Sequence, residues 1–152
     1  MSIKENLEKL NITLPTPVAP VANYVGFNIS GNQVFISGQL PIENGEVKYI
    51  GKVGSQISTQ DAAKAARLCA INILAQLSLS VGGDLEKVKK CVRLGVFVNS
   101  DANYTEHPVV ANGASDLVVE VLGDKGRHAR AATGAGSLPR GVSVEIDAIF
   151  EI

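Results

Sequence analysis

Arg130 and Glu145 are the two residues in this 152-residue chain whose setting points most directly to chemistry. They fall between His128 and Ile152, a stretch that reads as two strands joined by a Pro139-Arg140-Gly141 turn. Arg130 is followed by Ala131, Ala132, Thr133, Gly134, Ala135 and Gly136. That run has poor strand propensity, and its tiny side chains let a ligand or a second backbone come close. A guanidinium beside such a surface can fork onto a planar carboxylate through two parallel hydrogen bonds, which a lysine ammonium cannot reproduce. The same residues also fit a surface arginine beside a tightly packed Ala/Gly seam. On the closing strand Val142, Val144, Ile146, Ala148 and Phe150 alternate to one side. Ser143, Glu145, Asp147 and Glu151 fall on the other.

The remaining motifs exclude more than they offer. Ser37-Gly38-Gln39 lies at a strand end, where glycine exposes its backbone amide and carbonyl. It reads first as a turn and second as a ligand-binding loop. The two histidines, His107 before a helix and His128 at the start of a strand, belong to no Cys/His/Asp cluster at metal-ligand spacing. No metal site is expected. Neither a Gly-x-Ser-x-Gly elbow, a phosphate-binding loop nor a dinucleotide fingerprint is present, and Gly134-Ala135-Gly136 is too short for one. Lys87, Lys89, Lys90 and Arg93 make a small basic cluster that reads as a solvated strand face. With a formal net charge of -1 there is no long-range pull on nucleic acid or an anionic membrane. Three Tyr, four Phe and no Trp argue against an extensive base-stacking platform.

These residues need elements to hold them. Ser2 and Glu5 form a capping-box pattern for a short helix ending near Asn11, and Pro15, Pro17 and Pro20 enforce an extended connector after it, helix and connector together spanning residues 1–22. Tyr24–Ile29 and Gln33–Ser37 are β-rich runs around a Ser30-Gly31-Asn32 hairpin signal, and Val47–Ile50 is a short third candidate. Thr59 to about Ser80 reads as a long helix with a small face and a large apolar face, stopped by Gly82-Gly83. Val88–Val98 is a strand in which Gly95 suggests a bulge. A loop over Asn99–Pro108 leads to a second helix at Val109–Leu122, weakened by Gly113 and its valines. The order βββαβαββ predicts an α+β protein, one domain over 1–152, with both helices on one face of the sheet. The other face, expected to be rich in Ala, Gly and Val, argues for oligomerisation. The N-terminus lacks an apolar signal region, and no apolar run reaches transmembrane length. The expectation is a cytoplasmic protein in which Cys69 and Cys91 are buried thiols.

Read together, the segments from about Tyr24 to Ile152 resemble the Rid family of reactive intermediate deaminases, also known as the YjgF family. The most specific part is Arg130, Leu138-Pro139 eight residues on, and Val144-Glu145-Ile146 on the last strand. Tyr24-Val25, Ser37-Gly38-Gln39 and Gly95-Val-Phe-Val98 also match, and Asn112 falls near the family's site asparagine. The resemblance implies a chorismate-mutase-like fold and a homotrimer with clefts between neighbouring subunits. It implies that Arg130 binds the carboxylate of a 2-imino or enamine acid and that Glu145 positions or activates water. The products are a 2-oxo acid and ammonia. Tyr24, Ser37, Gly38, Asn112 and Ala132 are the implied substrate-binding positions, with no cofactor.

The chemistry agrees with the residue types. An imine carbon is already electrophilic, so substrate placement and one water suffice. Glu145, expected on the strand adjacent to Arg130, can accept a proton from that water if burial keeps its pKa from falling too low. Backbone groups near Gly38 and Ala132 would hold the imine nitrogen and the departing ammonia. Deaminases of the family usually carry Cys two residues after the Arg, where this chain has Ala132. That change, the longer loop before Asn112 and the N-terminal helix mark a divergent subgroup. A non-catalytic binder of small carboxylates using the same Arg130 pocket is the alternative. An endoribonuclease ranks lower, because it needs a general acid and base around a phosphate.

Overall fold

The computed structural model describes residues 1–17, 19–20 and 22–152. Helix α1 (Ile3–Lys9) begins with the capping box: Ser2 Oγ accepts from the Glu5 amide at 3.1 Å, and Glu5 Oε2 accepts from the Ser2 amide at 3.0 Å. Strands β1 (Phe27–Ser30) and β2 (Gln33–Gln39) form the expected antiparallel hairpin. The third candidate strand lies outside the main sheet. Instead of Val47–Ile50, a two-residue pair, β3 (Ile42–Glu43) and β4 (Glu46–Val47), makes a separate mini-hairpin. Helix α2 (Thr59–Ser80) has the predicted bounds. The Ser58 hydroxyl caps its N-terminus, and Gly82 and Gly83 adopt positive φ just past its end. Strand β5 (Lys90–Asn99), helix α3 (His107–Leu122), strand β6 (Ala129–Ala135) and strand β7 (Val144–Glu151) complete the order.

The five-stranded sheet runs β1-β2-β7-β5-β6, antiparallel except for the β5–β6 pair. The fold is thus a mixed α+β arrangement with helices packed on one face of a mainly antiparallel sheet. One expectation needs correction here. The two closing strands are consecutive in sequence but not neighbours, because β5 lies between β6 and β7 and pairs with both. Alternation along a strand tells which residues share a face, but nothing about which strand comes next.

Val34, Ile36, Leu94, Val96, Val98, Val144, Ile146 and Phe150 point from the sheet into a core shared with Ala66, Ile73, Leu74 and Leu77 of α2 and Leu117 and Val118 of α3. Each large side chain buried there contributes about 1.5–3 kcal/mol. The bulge in β5 lies between Cys91 and Arg93, not at Gly95. It shifts the phase so that Cys91 turns inward and the positions from Leu94 onward regain even-numbered burial. Cys69 and Cys91 are both buried and unpaired. Ser143, expected on the open face, is buried.

Gly113 explains a weakness in the α3 sequence. A Cβ there would collide with the Ala63 carbonyl of α2, so the glycine is where the two helices touch backbone to backbone. Helix α1 packs on the far end of α3 through Asn6 Nδ2, which donates to the Val121 carbonyl at 2.9 Å. No helix among the described residues is long and apolar enough to cross a membrane.

The open face differs in composition from the expectation. The β5 and β7 valines are turned into the core, and what remains mixes Phe35, Phe97, Ile149, Ala131 and Thr133 with charges. Lys90 pairs with Glu151 at 3.6 Å and Arg93 with Asp147 at 3.7 Å, which neutralises part of the basic cluster.

Candidate functional site

Arg130 stands in register with Leu94, a core residue, so it rises from the helix-facing side of the edge strand β6. Ala132 and Gly134 share that side. Helix α3 lies over it. Arg130 Nη1 donates to Asn112 Oδ1 at 2.8 Å and to Ser115 Oγ at 3.1 Å. Asn112 and Ser115 are three residues apart and therefore on one helix face. Among the described residues no Asp or Glu forms an ion pair with Arg130, and its Nε and Nη2 donors have no hydrogen-bond partner. This is a guanidinium held at one nitrogen and open along its other edge.

Glu145 occupies the opposite side of the sheet, in register with the exposed Phe97. It is half-buried. Burial pushes its carboxyl above the usual range, and Asp147 on the same face adds to the rise. Gly38, on the neighbouring strand β2, is what lets the carboxylate lie there: a Cβ at that position would sit 2.7 Å from Glu145 Oε2. The β2–β7 register breaks between Ile36 and Gln39, so Gly38 sits in an irregular stretch of strand. The Ser37 hydroxyl donates to the Val25 carbonyl at 2.6 Å, tying down the segment before β1. Tyr24 is 60% exposed in that segment.

The anticipated residues therefore divide into two groups. Arg130, Asn112 and Ala132 gather between the β6 edge and α3, while Glu145 and Gly38, with Ser37 beside them in β2, belong to the β2–β7 side. Within one chain the groups are separated by the sheet itself, with β5 between their strands. The expectation that Glu145 stands beside Arg130 is incorrect for a single copy. Sequence reasoning missed Ser115, because with Asp116 and Glu120 nearby it is one of several polar residues on the helix. Two residues past Ala132, a cleft of about 290 Å³ opens between Gly134, Ser100, Tyr104 and His107. A Cβ at Gly134 would intrude to 2.8 Å from His107 Nε2.

A family model described as "YjgF/chorismate_mutase-like, putative endoribonuclease" matches residues 5–146, and the chain belongs to that family. Proteins of this class are generally oligomers that bind small molecules. The chain is 44% identical to Protein TCP17 of Trypanosoma cruzi over 151 residues, which covers 99% of this chain and 94% of that protein. The crystal structure of the protein Atu1372 from Agrobacterium tumefaciens is 49% identical, with a TM-score of 0.92 over 99% of this chain and 93% of its own. A "putative endoribonuclease" from Shewanella oneidensis is 30% identical, with a TM-score of 0.96 and complete coverage of both chains. The crystal structure of RidA from the Antarctic bacterium Psychrobacter sp. PAMC 21119 is 29% identical, with a TM-score of 0.60 over 93% of this chain and 97% of its own.

Proposed function

We propose that this protein hydrolyses reactive 2-imino or enamine acids to 2-oxo acids and ammonia, in sites shared between copies of a homotrimer. The observation that carries this reading is Arg130: a guanidinium with no carboxylate partner among the described residues, held by Asn112 and Ser115 beside a strand of small side chains. Such a group matches a planar carboxylate. The second copy is needed because Arg130 and Glu145 lie on opposite faces of one sheet. The open face around Phe35, Phe97 and Ile149 offers apolar surface for that contact.

In the proposed reaction Arg130 binds the substrate carboxylate and Asn112 turns its amide N–H donors toward the same ligand. Glu145 of a neighbouring copy takes a proton from water as the oxygen bonds to C2 and the C=N electrons move to nitrogen. The resulting carbinolamine loses ammonia after proton transfer to nitrogen, leaving the 2-oxo acid. The raised Glu145 carboxyl makes a stronger base than an ordinary exposed glutamate. No thiol takes part, so Ala132 is compatible with the chemistry. The endoribonuclease activity in the family description has less support: it calls for an acid and a base around one phosphate, and among the described residues His107 and His128 are each engaged by a different serine.

The test is imine decay, with iminoacids generated in situ by an amino-acid oxidase, measured on mixed oligomers. Arg130→Ala and Glu145→Gln should each be inactive alone. Co-assembled at equal amounts, they should regain about a quarter of wild-type activity, because some sites then pair an intact Arg130 with an intact Glu145. No recovery from assembled hetero-oligomers defeats the shared-site reading. Tight 2-oxo acid binding by wild type without turnover of any imine would favour the non-catalytic binder.

A further inference from the structure

We infer that Ser115 and His128 are positioning residues that fix the orientation of Arg130 and leave one particular edge of its guanidinium for the ligand; this rests on the carboxylate-anchor reading above. The three side chains form a directed hydrogen-bond relay. Arg130 Nη1 donates to Ser115 Oγ at 3.1 Å, Ser115 Oγ lies 2.8 Å from His128 Nε2, and His128 Nδ1 lies 2.6 Å from the Gly126 carbonyl. A carbonyl only accepts, so His128 carries its proton on Nδ1. In the neutral imidazole Nε2 then accepts the Ser115 hydroxyl proton, which turns the Ser115 lone pairs toward Arg130. Every donor and acceptor in the relay has a defined direction.

The far end of the relay is rigid. Gly126 is buried, and a Cβ there would lie 2.5 Å from the Val118 carbonyl, so this turn is pressed against α3. The imidazole is thereby tethered at both nitrogens between the turn and the helix.

The near end defines what remains for a ligand. Both Nη1 protons of Arg130 are used, one on Ser115 and one on Asn112 Oδ1. The end-on fork, which needs Nη1 and Nη2 together, is closed. The side-on fork of Nε and Nη2 stays open and matches the two oxygens of a carboxylate. Asn112 presents its oxygen to Arg130, which leaves its amide N–H groups as extra donors for the same ligand. Without the relay the guanidinium keeps its charge but is held by Asn112 alone, which fixes its plane less well.

The experiment measures pyruvate affinity by calorimetry, together with KM and kcat for imine decay, on assembled wild type and four variants. Ser115→Ala should raise the pyruvate Kd and the imine KM roughly tenfold, the equivalent of one charge-assisted hydrogen bond, with kcat nearly unchanged. His128→Ala should raise both about threefold, acting through Ser115. Ser115→Thr, which keeps the hydroxyl, should restore both. If Arg130→Ala loses pyruvate while Ser115→Ala and His128→Ala bind it like wild type, the relay has no positioning role and the anchor reading survives. If Arg130→Ala binds pyruvate with wild-type affinity, the anchor reading itself fails. A thermal destabilisation of Ser115→Ala with unchanged Kd reduces the relay to structure alone. Should Ser115→Ala not fold, His128→Ala carries the same comparison.

Discussion

The two faces of the sheet treat their charges in opposite ways. On the helix side, Arg130 is restrained by Asn112 and Ser115 and stays exposed along its free edge. On the other side, Glu145 is half-buried, has no hydrogen-bond or ion-pair partner among the described residues, and is pushed toward its neutral form. The first is a finished anchor. The second is a partly desolvated carboxylate with no polar partner among the described residues, a costly arrangement unless something else completes it. Under the proposed function, orientation is built within the chain, whereas reactivity depends on what covers the open face.

Removing reactivity should give the largest effect. Glu145→Gln keeps the shape and an acceptor but is a poor base, so imine turnover should fall by on the order of 10²–10⁴ while 2-oxo acid binding persists. Unchanged turnover per intact oligomer would make Glu145 structural. Arg130→Ala should lose both binding and turnover, costing roughly 2–5 kcal/mol in transition-state affinity measured through kcat/KM. Gly38→Ala tests the steric side of the comparison. Its new methyl would meet Glu145 Oε2 at 2.7 Å, the mobile end of a side chain, so the carboxylate moves and the fold survives. Activity should drop by up to about 10² with little change in melting temperature.

The smallest effect is in stability. Burial raises the Glu145 pKa, so for this group the folded chain holds its proton more tightly than the unfolded one. The contribution is favourable at low pH and is lost as pH rises from the ordinary carboxylate value through the raised folded value. Glu145→Gln should therefore be slightly more stable than wild type at neutral pH, with the difference shrinking on acidification, as followed by thermal unfolding. A destabilised variant at neutral pH would mean that Glu145 has a cationic partner in the assembly.

Local chemistry was legible in the sequence wherever it acts over a few residues. The Ser2–Glu5 cap, the Thr59–Ser80 span of α2 with its Gly82-Gly83 stop and the alternation of β7 all carry their signal within a short window. What the residues concealed was long-range. Nothing near Arg130 or Glu145 reveals that β5 inserts between their strands. The β5 bulge was misplaced because glycine is a permissive site for one, whereas the observed phase shift falls at Val92, an unremarkable residue. The Arg130 pocket was half-legible: Arg130 and Asn112 stood out, but Ser115 and His128 gain meaning only once α3 lies over β6.

The crossing at Gly113 has a consequence for how such a site can change over time. Asn112 is its immediate neighbour, and the Ala63 backbone lies directly across the contact. Yet any side chain at 113 would run into the Ala63 backbone and lever α3 away from α2, carrying Asn112 and Ser115 with it and tilting the plane of Arg130. Ligand preference can then drift through a substitution that never touches the ligand, and positions 112, 113 and 115 should vary together in related proteins, not one at a time.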